Sequence, residues 1–128
     1  MKQRHDFCIE FSKKWRQSGV SAVVSPTFPH CAFPSKLADD MGLMCEYTFL
    51  WSILHYPGGV VPVTTVQEDE QEYSGDGHND GWTRLLNESA KNSEGMPITV
   101  TVYSHNFEDE KALAVMQSLD QKIGFRMK

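Results

Sequence analysis

The sequence predicts an α/β fold in which the strands of a mixed sheet are flanked by helices. Two observations predict it. Apolar residues recur at helical spacing near both ends of the chain, and short runs rich in β-branched residues lie between them. Helices that alternate with strands are typical of a sheet with helices packed on its faces. The chain has 128 residues, and we expect residues 1–128 to form a single domain.

The first element is a predicted helix that ends at Gly19. Phe7, Phe11 and Trp15 are spaced four residues apart, which places three aromatic rings on one helical face. Glycine is common just after the last residue of a helix because it adopts left-handed backbone angles without strain. We therefore expect an amphipathic helix with an aromatic face over the first eighteen residues.

A short strand and an irregular loop follow. Residues 22–25 form an apolar run that stops at Pro26, and we interpret it as a buried strand. Pro26, Pro29 and Pro34 make residues 26–36 unsuitable for a helix or a central strand. This stretch is predicted to be a loop.

The middle of the chain predicts a helix, a turn, a strand and a surface loop. The helix candidate covers residues 43–54, and Pro57 interrupts it. Residues 60–66 are rich in β-branched side chains and predict a strand in which Pro62 must lie at an edge or at the start. Residues 67–81 are acidic and contain glycine, and we expect a mobile surface loop there.

The last third predicts a short helix at residues 82–86, a strand at residues 98–102 and a long final helix. Asn106 is the predicted N-cap of that helix, with Asp109 three residues later. The face expected to pack on the sheet carries Leu113, Met116, Leu119 and Ile123.

Composition excludes several classes of function. The net charge of -5 argues against a nucleic-acid partner, because phosphate binding needs a clustered basic excess. Three widely spaced cysteines, Cys8, Cys31 and Cys45, predict neither a disulfide framework nor a zinc site. No apolar run reaches the length of about 18 residues that a membrane span needs. The chain is expected to be intracellular, either cytoplasmic or peripheral on an internal membrane.

The sequence offers no catalytic, metal or cofactor site of its own. Ser25 lies at the end of a strand, but no glycine-rich turn beside it could form an oxyanion hole. No base is evident beside any cysteine, and His30 and Cys31 are interpreted as loop residues. Residues 76–81 look like a calcium loop, but His78 and Asn87 stand where oxygen and glutamate ligands are required. We therefore predict no catalytic residue, no metal and no cofactor.

Three blocks, in their order and spacing, resemble the C-terminal part of amidase signature enzymes. The first is Gly19–Thr27, similar to a strand of that family that ends in a proline-containing turn. The second is Tyr47–Thr48, followed by Pro57–Pro62, and the third begins at Gly95–Pro97 and continues through a strand to a helix near Glu108. The resemblance covers nearly the whole chain and implies a partial amidase-signature fold, so that the domain is incomplete.

Within that family the sequence from residue 59 to residue 66, followed by an acidic insert, is most similar to animal fatty-acid amide hydrolases. The resemblance implies a Ser-Ser-Lys mechanism, in which a buried lysine serves as the ultimate base. This chain has no Ser-Ser pair, so no catalytic residue can be assigned. The resemblance does imply that Cys45 and Phe49, four residues apart, line the passage for the substrate's acyl chain.

Two hypotheses of function follow. The first is a C-terminal fragment of an amidase that hydrolyses fatty-acid amides in its full-length form, with this chain inactive alone. Its partner would be a lipid amide substrate, and a homodimer and membrane association through a missing upstream region are left open. The alternative is a non-catalytic remnant that binds lipid or a partner. A lysine and a Gly-Ser-Ser segment in an upstream reading frame would favour the first hypothesis.

Overall fold

The computed structural model describes residues 2–73 and 77–126, and it has the predicted α/β character. Within that part of the chain, five helices and three strands follow one another. In chain order they are α1 (Lys2–Ser18), β1 (Ala22–Pro26), α2 (Ala38–Met41), α3 (Glu46–Leu54), β2 (Gly58–Thr65), α4 (Gly81–Ala90), β3 (Pro97–Ser104) and α5 (Asp109–Ile123). None of these helices is long and apolar enough to cross a membrane.

The described strands form one sheet in the order β1-β3-β2, and both pairs are antiparallel. Val102 of β3 lies opposite Val24 on one side and Gly59 on the other. The central strand is the most buried, and its second half, from Thr101 to Ser104, is almost inaccessible to solvent. Helices α1 and α3 contact each other, and α5 packs on all three strands.

Of the two outer strands, β1 differs from the sequence prediction, and β2 agrees with it at Pro62. Strand β1 is not buried as predicted. It is an edge strand among the described strands, and Val24 is exposed because α5 packs mainly over β2 and β3. Strand β2 confirms that Pro62 lies at an edge, where its missing N–H does not interrupt a central ladder. A shift in register between Pro62 and Thr64 marks a bulge at the same place.

An aromatic cluster joins α1 and α3 to one end of the sheet. The buried members are Trp15, Trp51, Leu54, Tyr56 and Tyr103. The rings of Trp51 and Tyr103 stack with centroids 4.4 Å apart, and Trp15 meets Tyr56 edge-on at 5.3 Å. Such aromatic pairs add roughly 0.5–1.5 kcal/mol to the hydrophobic gain from burial. The predicted first helix and its end at Gly19, which has a φ of 71°, are confirmed.

The last helix packs on the sheet, but its start and its inner face differ from the prediction. Phe107 adopts a left-handed φ of 64°, so α5 begins only at Asp109, with Glu108 as the N-cap residue. The predicted cap at Asn106 is therefore wrong. Ala112 is buried, whereas Leu113 points outward with 61% of its surface exposed. An added Cβ at Gly59 would meet the Met116 side chain, which shows how closely α5 approaches β2.

The region between β1 and β2 contains more turns than the sequence predicts. The helix expected from residue 43 begins as a regular α-helix at Glu46, after a 3-10 turn over Gly42–Cys45. Its predicted end is confirmed, since His55 takes a left-handed φ of 56° after Leu54. Of the loop predicted at residues 26–36, residues 27–34 are irregular, Pro26 is the last residue of β1, and a 3-10 turn follows at Ser35–Leu37.

The acidic segment predicted at residues 67–81 contains one 3-10 turn, Glu68–Glu70, and its residues 74–76 lie outside the described part of the chain. Helix α4, which follows, is longer than the predicted 82–86. It begins at Gly81 because the Asp80 carboxylate accepts a hydrogen bond of 2.8 Å from the Thr83 backbone N–H. This is the usual geometry of an N-cap.

Candidate functional site

The two residues predicted to contact substrate lie at the start of α3. Cys45 is the last residue of the 3-10 turn, and its carbonyl accepts a 2.8 Å hydrogen bond from the Thr48 hydroxyl. Its thiol is half-buried. Phe49, one turn later, is 53% exposed, and Ile53 after it is also exposed. Residues 45, 49 and 53 therefore share an outward, apolar stripe of α3 rather than a place in the core.

The opposite face of α3 fixes the position of that stripe. Trp51 and Leu54 are buried in the aromatic cluster, and Trp51 stacks on Tyr103 of the central strand. The backbone N–H of Tyr56 donates to the Trp51 carbonyl at 3.1 Å, which closes the helix. Since one face of a short helix is held by large rings, the side chains on its other face are presented in a defined direction.

Beside the start of α3 the structure has an open cleft of about 800 Å³. It lies at the end of the sheet where β3 begins. Among its lining residues are Phe28, His30, Cys31, Phe33, Tyr47 and Ile98. Neither Cys45 nor Phe49 lines this cleft, whereas Tyr47, which lies between them in sequence, does. Sequence reasoning missed Tyr47, although its place in the Tyr47-Thr48 pair of the resemblance is a signal that could have found it.

The cleft contains a cysteine and a histidine in contact. The Cys31 Sγ lies 3.4 Å from the His30 Nδ1, and the His30 Nε2 lies 3.2 Å from the Ser89 hydroxyl of α4. His30 and Cys31 are loop residues as predicted, and the structure places an imidazole beside the Cys31 thiol, although no base paired with a cysteine was evident from the sequence. Nothing in the sequence marks the contact of His30 with Ser89, because the two residues are 59 positions apart.

A second histidine contact joins α1 to the segment between β3 and α5. The Ser12 hydroxyl lies 2.7 Å from the His105 Nε2, and the His105 Nδ1 lies 3.2 Å from the Asn106 carbonyl. Both contacts are satisfied when Nδ1 carries the proton and Nε2 accepts from Ser12. The Tyr56 ring packs 5.1 Å from the His105 ring. Burial raises the pKa of Tyr56, and the Ser12 hydroxyl partly offsets this rise.

The other candidate sites of the sequence have local partners. The Ser25 hydroxyl donates to the Pro26 carbonyl at 3.3 Å. Of the calcium-like loop, Asp76 lies outside the described residues, and Asp80 caps α4. The backbone N–H of Thr83 holds the pKa of Asp80 below its ordinary value, because hydrogen bonding favours the ionised carboxylate. Across residues 2–73 and 77–126, no three His, Cys, Asp or Glu side chains are grouped as metal ligands.

Comparisons with known proteins give a partial match to one enzyme. No protein-family model matches the chain. Over 112 residues, 84% of its length, the chain is 30% identical to Fatty-acid amide hydrolase 1 of Sus scrofa, of which it covers 19%. Over 94 residues, 72% of its length, it is 29% identical to Fatty acid amide hydrolase 1 of Caenorhabditis elegans, of which it covers 16%.

A solved structure shows the same fold. A fatty acid amide hydrolase superposes on 98% of the chain with a TM-score of 0.73 and 20% sequence identity, and the chain covers 23% of that structure. The chain thus spans less than a quarter of the length of the relatives that it matches.

Proposed function

Because this chain is homologous to a segment of fatty-acid amide hydrolase, an amidase signature enzyme, we propose that it is the C-terminal piece of such an amidase. The complete form would hydrolyse fatty-acid amides to a fatty acid and an amine. The observation that carries the proposal is the 30% identity over 112 residues, and the matching fold supports it. The full-length activity is inferred from a match to under a quarter of the relatives' length.

Within that enzyme, the chain would supply part of the wall of the substrate passage. The outward stripe of α3 supports this role, because Phe49 is half exposed and apolar and lies one turn from Cys45. An acyl chain gains roughly 0.8 kcal/mol for each CH₂ group that it buries against such a surface. The rigid attachment of α3 through Trp51 would keep the passage in shape while substrates of different length slide along it.

The 128-residue chain by itself would not hydrolyse amides. Amide hydrolysis by a serine enzyme needs a nucleophile with a positioned base, and the Ser-Ser pair that the resemblance implies does not occur in this sequence. In the part of the chain that the structure describes, two serines lie beside an imidazole. The Ser89 hydroxyl is 3.2 Å from the His30 Nε2, and that serine is buried in α4. Ser12, which is 2.7 Å from the His105 Nε2, ties α1 to the β3–α5 segment and is part of the packing. Its substitution is expected to disturb folding rather than turnover.

The test compares the chain alone with a chimera. The chain is incubated with a fatty-acid primary amide and with a serine-directed fluorophosphonate, and neither turnover nor covalent labelling is expected. In the chimera, the chain replaces the 112-residue matching segment of the pig enzyme, and amide hydrolysis should be retained. Turnover by the chain alone, with labelling of one of its serines, would refute the claim of inactivity.

The substrate-passage role has its own test in the chimera. Phe49→Ser should lower kcat/KM for a long-chain amide more than for a short-chain amide, since only the long chain reaches α3. Leu113→Ser is the matched control, because Leu113 is equally apolar and exposed but lies on α5. Equal losses for both chain lengths would place Phe49 outside the passage.

The alternative is a non-catalytic remnant that binds lipid or a partner. The exposure of large apolar side chains favours it, above all Phe107, which is 90% exposed, and Leu113. A stable, monomeric chain that binds a fatty-acid amide without turnover would support the remnant. Aggregation of the isolated chain would favour the fragment, whose edge strands β1 and β2 would pair with the rest of the amidase sheet. We also propose that the chain can form a homodimer, which sedimentation would detect.

A further inference from the structure

At the cleft beside α3, a thiol and an imidazole from adjacent lining residues meet a buried hydroxyl from a distant part of the chain. His30 and Cys31 belong to the loop after β1, and Ser89 belongs to α4. Ser89 is almost fully buried, and its hydroxyl also lies 2.9 Å from the Leu86 carbonyl. This chain of contacts runs from the Leu86 carbonyl through Ser89 and His30 to the Cys31 Sγ. It is separate from the α3 stripe proposed to contact the acyl chain.

The protonation of His30 determines how many of these contacts are satisfied. The Ser89 hydroxyl has one proton, and it donates that proton to the Leu86 carbonyl. Its contact with the His30 Nε2 is therefore a hydrogen bond only when Nε2 carries a proton and donates. On the other side of the ring, Nδ1 lies 3.1 Å from the Cys31 carbonyl, a contact that requires a proton on Nδ1. A neutral ring has one proton and cannot serve both sides. Transfer of the Cys31 proton to Nδ1 would give each of these contacts a donor.

The walls of the cleft indicate which molecules could reach the sulfur. The rings of Phe28 and Phe33 lie 5.7 Å apart, and Tyr47 and Ile98 continue the apolar lining. Two carboxylates, those of Glu70 and Glu72, lie along the cleft, and its described lining includes no lysine or arginine. An anionic ligand would meet repulsion from these carboxylates, whereas a neutral and apolar ligand would bury its tail.

We propose that Cys31 is a reactive thiol, activated by His30, that adds to neutral apolar electrophiles such as medium- and long-chain α,β-unsaturated aldehydes. The proton of the Cys31 thiol passes to the His30 Nδ1. The sulfur lone pair forms a C–S bond with the β-carbon of the aldehyde, and the π electrons of the C=C bond move to give an enolate. The imidazolium returns its proton to the α-carbon. The product is a saturated thioether aldehyde, and no oxidant or reductant is consumed.

The other two cysteines provide internal controls. The Cys8 Sγ donates to the Ile53 carbonyl at 3.5 Å, so its hydrogen-bond partner is a carbonyl and not an imidazole. Both Cys8 and Cys45 are more exposed than Cys31, which is only 8% exposed. If access alone governed reactivity, Cys31 would react last. If the His30 contact governs it, Cys31 reacts first.

The experiment uses the full chain and trans-2-nonenal, with intact mass and peptide mapping to follow each cysteine. Cys31 should be modified at least about 10-fold faster than Cys8 and Cys45. This factor is smaller than the rate increase that a positioned general base can give. His30→Gln should slow Cys31 by about 10-fold or more and leave the other two cysteines unchanged. Cys8→Ser should leave the rate at Cys31 as it is. Iodoacetamide should modify Cys31 faster than the anion iodoacetate does.

Several outcomes would overturn the proposal. Faster modification of Cys8 or Cys45 would show that access governs reactivity. An unchanged rate at Cys31 in folded His30→Gln would remove the activating role of the imidazole. If that variant fails to fold, the modification rate of Cys31 in Ser89→Ala tests the role of His30 instead. It removes the hydroxyl beside Nε2 and should slow Cys31 alone, and an unchanged rate there would count against the proposal.

Discussion

The two ends of the sheet are built in contrasting ways although the same central strand runs through both. At the aromatic end, formed around Trp15, Trp51, Tyr56 and Tyr103, β3 is covered by stacked and edge-on rings. At the cleft end, where β3 begins at Pro97, the covering segments are a proline-rich loop and a short turn, and an opening remains. Large rings fill space that irregular backbone cannot, because loops must keep their own polar groups hydrated or paired. Stability and accessibility are therefore separated along one strand.

The largest expected effect is at the aromatic end. Trp51→Ala should lower the free energy of unfolding by about 3–5 kcal/mol, because it leaves a cavity under the ring of Tyr103. Phe49→Ala, two residues earlier on the exposed face of α3, should change it by less than about 0.5 kcal/mol. Urea denaturation followed by circular dichroism measures both. Similar losses for the two variants would mean that the outward stripe is as important for stability as the aromatic cluster.

A smaller loss is expected where the backbone approaches the same cluster. An added Cβ at Gly58 would lie 2.6 Å from the Cδ1 of Tyr103, whose ring is held by Trp51 and cannot move freely. Gly58→Ala should therefore destabilise the chain by about 1–3 kcal/mol. The matched substitution away from the aromatic cluster is Gly81→Ala, which has open space around it at the start of α4 and should be neutral or stabilising. Thermal unfolding measures the Tm of both variants. A Tm unchanged by Gly58→Ala would show that the aromatic end is loosely packed.

The smallest effect concerns acid and the start of α4. The pKa of Asp80 is lowered in the folded chain by the Thr83 backbone N–H, so its contribution to stability is present above the ordinary carboxyl pKa of 3.8. That contribution is lost as the pH falls through the lower, folded value. Asp80→Asn keeps a capping side chain but cannot titrate. The difference in Tm between the native chain and this variant should therefore shrink from pH 7 to pH 3. A difference that does not change with pH would mean that the carboxylate charge contributes nothing to the cap.

The regular parts of the fold could be predicted from local sequence because their signals lie within a few residues. The aromatic spacing of α1, the end of α3 and the β-branched core of β3 are examples. The start of α5 could not be placed, since the left-handed φ of Phe107 displaces it beyond Asn106. A local sequence pattern does not predict a left-handed backbone conformation at a large residue such as phenylalanine. The outward direction of Leu113 was missed for the related reason that apolar spacing does not show which face meets the sheet.

Part of the candidate site could likewise be predicted from the sequence, and part could not. Cys45 and Phe49 could be chosen because a resemblance pointed to one helix, and whether they contact a substrate remains a prediction. The contact of His30 with Ser89 depends on two segments that meet only in the folded chain, and the contact of His30 with Cys31 depends on the conformation of one loop. Adjacent residues in a loop can point their side chains apart or together, and the sequence does not distinguish these cases. The cleft is likewise a product of how α4 and the loop after β1 come together.

The proline and the bulge in β2 make the two edges of the sheet unequal as templates for a further strand. At the β2 edge, Pro62 removes a donor and the shift before Thr64 turns the backbone out of register. At the β1 edge, the only proline, Pro26, stands at the very end of the strand. A strand added to this sheet, whether from the rest of an amidase or from a second copy of the chain, meets fewer obstacles along residues 22–25. Growth of the sheet is thus biased toward one side.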